Sequence, residues 1–383
     1  ATGNVNSTPG LKYNSGATSP LTLSGRAIEF SSAVTSAILI QNNNTTHAIT
    51  VSSDLVASGA GTKTLMLDAA GGAGSPTNVF SGDITDGTGG GTVGVVKPSS
   101  TGAASNASTS TWVLSGNNSY TGPTAINTGT LAGIGANAFG NTSGISIAAA
   151  GILSLRGDSS TTFASSNVTT SASGATINVN QATIAGTGAK TMTIGAIGTS
   201  STAASYQVNF TGANNTSLSV GAVTGAASTA AGTVTINNTI ASAGTLTLAS
   251  YQSANTSGGE TLIFSGTGNT SVTGAITPSS TTLALTKNGS GTTTLSSNNA
   301  YSGVTTVSAG VLRLNHANAL PGGIGAAGGT SALTFSGGVI GLGAGDFTRN
   351  LAAAGTVTGV NFTGAGGWAA YGADRFVNLN NDS

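Results

Sequence analysis

Short apolar bursts with a period of two run along most of the chain. Val, Ile, Leu, Met or Phe occupies every second position of each burst, and Ser, Thr, Asn or another small residue lies between. Examples are Ile38/Ile40, Ile49/Val51, Leu65/Leu67, Leu153/Leu155, Ile177/Val179, Val208/Phe210, Leu246/Leu248, Leu262/Phe264, Leu283/Leu285 and Leu333/Phe335. This alternation predicts strands with one buried face and one polar face. Gly, Asn and Asp-Gly clusters between the bursts predict turns, and no segment has the spacing of an amphipathic helix.

One segment of the chain occurs twice. Residues 114–131 and 295–312 agree at nine of eighteen positions, and the alignment continues without a gap to ANAF (136–139) and ANAL (317–320). Such a repeat favours a solenoid over a sandwich, because a solenoid is built by stacking one module. The predicted fold is therefore all-β, an elongated parallel β-helix, or β-solenoid, with roughly 20–25 residues in each turn.

The solenoid prediction divides the chain into three parts. A β segment or cap covers residues 1–45, the solenoid body covers 46–345, and a final β segment covers 346–383. The body contains the two repeat copies, near 60–156 and 257–345.

The repeated module combines corner residues with a strand. Asn forms local hydrogen bonds at turns, Gly permits positive φ, and Tyr is a large ring that can pin a corner onto its neighbour. The predicted structural corners are Asn117, Tyr120, Gly122, Gly129, Asn298, Tyr301, Gly303 and Gly310. We expect Gly303→Val to destabilise the fold if φ is positive there.

Composition excludes several classes of function. The chain has 383 residues, 60 of them Gly, and 10 positive against 10 negative side chains. Its 38% hydrophobic content, arranged in alternating bursts, argues against disorder. The absence of a basic patch predicts no nucleic-acid partner, and no apolar run approaches the ~18 residues of a membrane-spanning helix. Cys is absent, so disulfides and thiolate metal sites are excluded.

Candidate chemistry is sparse. His47 and His316 each lack a second ligand at metal spacing. Asp83 and Asp86 are the only two acids close in sequence, and their Asp-Gly context predicts a turn. Apparent phosphate-loop motifs lack the Gly before Lys that such loops require. We therefore predict no catalytic residue, no cofactor and no metal site, although stacked turns can bring distant acids together, so an enzyme stays an alternative.

The passage 260–314 resembles the autotransporter-associated β-strand repeat. The pattern of that family contains a Lys-Gly-Thr strand, a Leu-Ser-Gly-Asn corner, Tyr-x-Gly and a Thr-x-Val/Ile-x-x-Gly-x-Leu strand. The second copy supplies Lys287, Gly291, Leu295, Ser296, Asn298, Tyr301, Gly303, Thr305, Val307, Gly310 and Leu312. The first copy supplies Trp112, Leu114, Ser115, Gly116, Asn117, Tyr120, Gly122, Thr124, Ile126, Gly129 and Leu131. The resemblance implies a right-handed β-helix located outside a bacterial cell, or on its outer surface.

The final residues, NLNNDS, depart from the resemblance, because autotransporters continue into alternating strands of about ten residues. We expect a released passenger, a fragment of a longer protein, or a protein exported by another route.

These observations predict a non-enzymatic, secreted bacterial surface protein with a structural or adhesive role. Self-assembly into an extracellular filament or sheath is the sharper hypothesis, with copies of the chain as the main partner and surface glycans as a second one. Weakly charged ends favour self-association: Lys12 is the only charge before Arg26, and from residue 349 onward only Arg349, Asp374, Arg375 and Asp382 are charged. The alternative is a β-helix that binds or cleaves polysaccharides.

Overall fold

The computed structural model describes residues 10–31, 35–70, 75–99, 110–163, 167–183, 188–241, 243–325, 329–352 and 358–379. Its contacts group the chain into two compact units, 1–195 and 196–383. One repeat copy lies in each unit. Each unit is a right-handed parallel β-helix, as the sequence predicts. Within the described residues there is no helix, and hence none that is long and apolar enough to cross a membrane.

The described residues of the first unit form seventeen short strands separated by turns of Gly, Ser, Thr and Asn. The strands are β1 (Gly10–Tyr13), β2 (Leu21–Leu23), β3 (Ile28–Phe30), β4 (Ser36–Asn42), β5 (Ile49–Val51), β6 (Leu55–Ala57), β7 (Lys63–Ala69), β8 (Thr77–Phe80), β9 (Ile84–Thr85), β10 (Val93–Lys97), β11 (Thr111–Leu114), β12 (Thr124–Ile134), β13 (Ile145–Arg156), β14 (Thr161–Thr162), β15 (Val168–Thr170), β16 (Ala175–Asn180) and β17 (Lys190–Ile194).

Parallel pairing links these strands into rows. One row contains β1, β4, β7, β10, the first part of β12 and the first part of β13. A second contains β2, β5, β8, β11 and the remaining part of β12. A third begins with β3, β6 and β9. Each turn of the first unit therefore contributes one strand to each of up to three rows, which is the topology of a parallel β-helix.

Where the structure describes the second unit, it has eighteen strands arranged on the same plan. They are β18 (Ile197–Thr199), β19 (Ser205–Gly212), β20 (Thr216–Thr224), β21 (Gly232–Ile240), β22 (Thr245–Gln252), β23 (Glu260–Ser265), β24 (Asn269–Val272), β25 (Ile276–Thr277), β26 (Leu283–Lys287), β27 (Thr292–Leu295), β28 (Thr305–Val307), β29 (Val311–Leu314), β30 (Leu333–Phe335), β31 (Val339–Leu342), β32 (Phe347–Thr348), β33 (Val360–Phe362), β34 (Gly367–Ala370) and β35 (Val377–Asn378).

Two long rows run through the second unit. The first consists of β19, β21, β23, β26, β28, β30 and β33. The other consists of β20, β22, β24, β27, β29, β31 and β34. Strand β32 pairs with β35 in a separate small sheet.

In-register pairing stacks like side chains on one another in the interior. In the first row of the second unit, successive partners at one inward position are Val234, Leu262, Leu285, Thr305 and Leu333, all at most 3% exposed. In the first unit Val51 stacks on Phe80, which stacks on Leu114, and all three are fully buried. The core of each unit is thus a set of apolar columns, one side chain wide, packed between the rows.

The length of a turn varies more than predicted. One turn leads from Thr292 to its partner Val311, whereas another leads from Thr77 to its partner Thr111 and is much longer. The prediction of a nearly constant turn length is therefore wrong. The strands stay in register because pairing fixes them, and the connecting loops absorb the differences in length. Nothing in the fold tests the proposed boundaries at 45 and 345, which stay predictions.

Candidate functional site

Both repeat copies form a corner with a buried polar side. The first corner lies between β11 and β12, and the second lies between β27 and β28. The alternation of the flanking strands continues through each corner, so that every second side chain points inward. The buried positions are Asn118, Tyr120, Gly122 and Thr124 in the first unit, and Asn299, Tyr301, Gly303 and Thr305 in the second.

A buried asparagine joins three successive turns at each corner. Asn118 Oδ1 accepts a hydrogen bond from Ile84 N at 2.8 Å in the preceding turn, and Nδ2 donates to Ala138 O at 2.7 Å in the following turn. In the second unit Asn299 does the same with Ile276 N at 2.8 Å and Ala319 O at 2.7 Å. Each asparagine thus satisfies two buried backbone groups, which would otherwise be costly to bury.

The asparagines that the sequence analysis selected lie one residue earlier in the chain. Asn117 and Asn298 are in the corners but are not among the buried side chains. Asn117 Oδ1 accepts a surface hydrogen bond from Asn137 Nδ2 at 2.6 Å. The sequence does identify the bridging residues. In an alternating segment, residues two apart face the same side, and Asn118 and Asn299 each lie two residues before the buried Tyr.

The tyrosines pack inward and their hydroxyls stay hydrogen-bonded. Tyr120 OH and Thr124 Oγ1 are 2.8 Å apart, as are Tyr301 OH and Thr305 Oγ1. Because the rings are buried, the pKa of Tyr301 is raised to about 12 and that of Tyr120 is raised further. Both phenols therefore stay neutral at physiological pH and serve as hydrogen-bonded core groups.

A further hydroxyl completes each network. In the first unit Thr142 Oγ1 donates to Gly122 O at 2.9 Å. In the second unit Ser331 Oγ donates to Gly303 O at 2.6 Å. Ser331 O also accepts a hydrogen bond from Arg349, whose buried guanidinium donates to Pro321 O at 3.0 Å as well. The second corner is therefore tied to a later loop by a charge that the sequence analysis did not single out.

The four predicted corner glycines serve two different purposes. Gly129 and Gly310 have positive φ angles of 67° and 63°. They lie where the chain bends from one row of strands to the other. Gly122 and Gly303 have φ outside the left-handed region, so the expectation of positive φ is wrong for them. They are glycines because a Cβ would lie 2.4 Å from Val93 O and 2.7 Å from Leu283 O, respectively.

Buried lysines occupy inward positions beside the corners. Lys287 is 2% exposed and stacks on Val307 in the row, while its Nζ donates to Gly289 O and, at 3.4 Å, to Ala309 O. Lys97 is fully buried and stacks on Ile126, which is the residue equivalent to Val307 in the first copy. Lys97 is thus the structural counterpart of Lys287, although the gap-free alignment of the two repeat copies does not pair them.

Burial dominates the electrostatics of these two lysines. It lowers the pKa of Lys97 and of Lys287 to about 8; for Lys97 the nearby charge of Asp68 opposes the effect. Lysine is costly to bury as a cation unless its donors are satisfied. Backbone carbonyls reduce that cost for Lys287, and the carboxylate of Asp68 reduces it for Lys97.

The acids and histidines predicted as candidate chemistry make contacts typical of turns. Asp83 Oδ1 accepts a hydrogen bond from Asn117 N at 2.7 Å, and Asp86 accepts from Val93 N at 2.7 Å and from Thr121. His316 Nδ1 accepts from Asn318 N at 3.0 Å. The His47 backbone N donates to Asn44 Oδ1 at 2.7 Å.

Two further acids, Asp68 and Glu260, are buried. Glu260 is 5% exposed and accepts a hydrogen bond from Tyr251 OH. Burial raises the pKa of the Glu260 carboxyl. Over the residues that the structure describes, no three His, Asp or Glu side chains come together as metal ligands. The described polar groups of the corners chiefly hold successive turns in register.

These features define a parallel β-helix whose turns are joined by a repeated corner with a buried Asn, Tyr and Thr. Two segments, 107–132 and 285–314, match the model of the passenger-associated transport repeat, and each contains one copy of the module. A search of the curated proteins and a search of the solved structures found no match. The two matched segments confirm the resemblance to autotransporter passenger repeats. Repeats of this kind indicate a bacterial protein that is secreted or displayed at the cell surface.

We expect Asn299→Ala to lower the free energy of unfolding by about 2–4 kcal/mol, because it leaves Ile276 N and Ala319 O buried without a partner. Asn298→Ala, at the more accessible neighbouring position, is the control and should change it by less than about 0.5 kcal/mol. Urea unfolding followed by circular dichroism measures both. Equal effects of the two substitutions would show that the bridge does not stabilise the corner.

We expect Gly303→Val to destabilise the fold by at least about 2 kcal/mol, because the added Cβ would collide with Leu283 O and with Ala284, both within 2.8 Å. Gly198→Val is the control, since a Cβ at Gly198 meets nothing within 4 Å. Thermal unfolding of both variants tests this. A Gly303→Val variant with an unchanged melting temperature would rule out the close approach.

The third prediction concerns pH and Lys287, whose pKa is lowered from its ordinary value of 10.5 to about 8. Between these values the unfolded chain binds more protons than the folded one, so stability rises with pH in this window. Lys287→Met should lose this gain, which is up to about 1.4 kcal/mol per pH unit. Urea midpoints of both proteins at pH 7.5, 8.5 and 9.5 measure it. A constant difference between the two proteins would contradict the prediction.

Proposed function

We propose that this protein is a non-enzymatic structural component of the bacterial surface that assembles with further copies of itself through its last described turn. The single observation that carries the proposal is the apolar surface of that turn. That turn contains β33, β34 and β35. Within the described residues, five large apolar side chains are exposed; Phe362, Phe376 and Val377 belong to this turn, and Leu351 precedes it. Exposed large apolar side chains of this kind are typical of an interaction site.

Aromatic packing supports this surface from beneath. The ring of Phe362 stacks on Phe335 with centroids 5.0 Å apart, and Trp368 contacts Phe335 edge-on at 4.8 Å. Phe362 is 46% exposed and Phe376 is 77% exposed. Phe362 is thus held by a cluster of rings, which reduces the entropy that is lost when a partner binds.

The described strands of the same turn pair in parallel with those of the turn before. Among the described residues, β33, β34 and β35 each pair with one strand only, namely β30, β31 and β32. At the other end of the described chain, β1, β2 and β3 likewise pair only with β4, β5 and β6.

The rows of the first and last described turns are equivalent. Alignment of the repeat copies makes the row of β33 equivalent to the row of β1, and the row of β34 equivalent to the row of β2. A second copy could therefore continue both rows in the same parallel sense. A contact between different surfaces of two copies produces an open polymer when the rotation between copies does not close into a ring.

The alternative of a polysaccharide-cleaving enzyme has weaker support. Such an enzyme uses two carboxyl groups that face the substrate. Asp83 and Asp86 instead accept hydrogen bonds from the backbone of the following turn, and Glu260 is bonded to Tyr251. A non-enzymatic role is therefore the proposal that these contacts favour.

We expect the purified chain to form larger species as its concentration rises, and Phe376→Ser to shift the distribution towards monomer, because the exposed ring would be lost from the interface. Val304→Ser is the matched control, since Val304 is the remaining exposed apolar residue and lies outside the last turn. Sedimentation velocity in physiological salt measures all three proteins. A chain that is monomeric at every concentration, or equal effects of the two substitutions, would overturn the proposal and indicate another partner for this turn.

A further inference from the structure

A polar groove lies on the outer face of the second unit. It has a volume of about 300 Å³ and crosses neighbouring strands of one row. Hydroxyl and amide side chains dominate its lining, and Arg313 is the one charged residue among the described residues that line it. The lining residues are Thr245, Asn269, Thr270, Ser271, Thr292, Thr294, Arg313 and Tyr371.

Arg313 differs from the other basic side chains that are held by the fold. Arg349 donates to Pro321 O and Gly323 O, and Arg375 donates to Gly343 O, so both are bound to the backbone of their own unit. The Nε of Arg313 is buried and, like the Nε of Arg349, has no acceptor among the described residues. Because the Nε atom is buried, a ligand in the groove would meet the terminal nitrogens of the guanidinium.

The guanidinium of Arg313 is held in place by an aromatic ring. Its Cζ lies 4.5 Å from the centre of the Tyr371 ring, a cation–π contact. Tyr371 can approach because Arg313 stacks on Gly341 in the row, and a Cβ at Gly341 would lie 2.7 Å from the Tyr371 ring. The fold therefore restricts the guanidinium before any ligand arrives, which favours binding.

The rest of the groove offers hydrogen-bonding groups at regular intervals. Ser271 pairs with Thr294, and Thr294 pairs with Arg313, so these three residues follow one line across the strands. Thr245 and Asn269 form a parallel line beside them. Adjacent strands are about 4.8 Å apart, so the groove presents a hydroxyl or an amide at each such step. This arrangement suits an extended ligand that is rich in hydroxyl groups.

We propose that the groove binds an acidic polysaccharide, with a sugar carboxylate on Arg313 and sugar hydroxyls on the Ser, Thr and Asn side chains. The planar guanidinium matches a carboxylate through two parallel hydrogen bonds. A single arginine balances one negative charge. A nucleic acid would require several cations and freely accessible rings, whereas Arg313 already covers one face of Tyr371.

The test uses a short oligogalacturonate and its fully methyl-esterified form, which keeps the hydroxyls but lacks the charge. Isothermal titration calorimetry should detect binding of the acid and at least about tenfold weaker binding of the ester, since hydrogen bonds to charged groups are the stronger kind. Arg313→Gln should lower the affinity for the acid by about tenfold or more. Arg26→Gln is the control, because Arg26 is exposed in the other unit and its loss changes the net charge equally.

Two variants of Tyr371 separate positioning from direct contact. Tyr371→Phe keeps the ring over Arg313 and should leave the affinity within about twofold, whereas Tyr371→Ala should weaken binding because the guanidinium loses its support. Failure of the acid to bind, equal binding of acid and ester, or an unchanged affinity of Arg313→Gln would overturn the proposal. The assembly state, measured separately by sedimentation, does not enter this test, so the two proposals can fail independently.

Discussion

In-register parallel pairing of successive turns is the interaction on which the rest of each unit depends. It places equivalent positions of successive turns directly above one another. Each turn therefore contributes one side chain to every inward column. Apolar columns such as Val51, Phe80 and Leu114 meet this requirement by packing alone. Inward polar residues meet it only if the neighbouring turns supply hydrogen-bond partners. The corner is the part of the turn where backbone groups are free to do so.

The corner therefore accounts for the unusual interior. Asn118 and Asn299 each link three turns, and Tyr120 and Tyr301 each place a hydroxyl beside a Thr. Lys287 reaches carbonyls on two turns. These groups replace contacts that a wider core would provide, because a solenoid turn is too thin to bury large apolar clusters. The polar residues of the repeat thus maintain the register of the turns, and most of their hydrogen-bonding groups have partners within the protein.

The same pairing also determines where the outer surface can interact. Parallel pairing aligns outward side chains on neighbouring strands. In the second unit one such line runs from Ser271 through Thr294 to Arg313. At the last described turn, exposed aromatic rings accompany the paired strands. Matches to passenger-associated transport repeats indicate a secreted or cell-surface protein of bacteria.

The sequence by itself determined the strands, the parallel β-helix and the position of both corners, because these follow from local alternation and from a repeated module. The same alternation also shows that Asn118 and Asn299 face inward, because each lies two residues before a buried Tyr. Only the tertiary structure decided why Gly303 must be glycine, since the reason is the approach of Leu283 O from another turn. The tertiary structure also decided that Lys97 is equivalent to Lys287 and that Arg313 contacts Tyr371. Both depend on loops of different length between paired strands. Pairing across such loops is a long-range contact, and the local pattern of residues does not encode it.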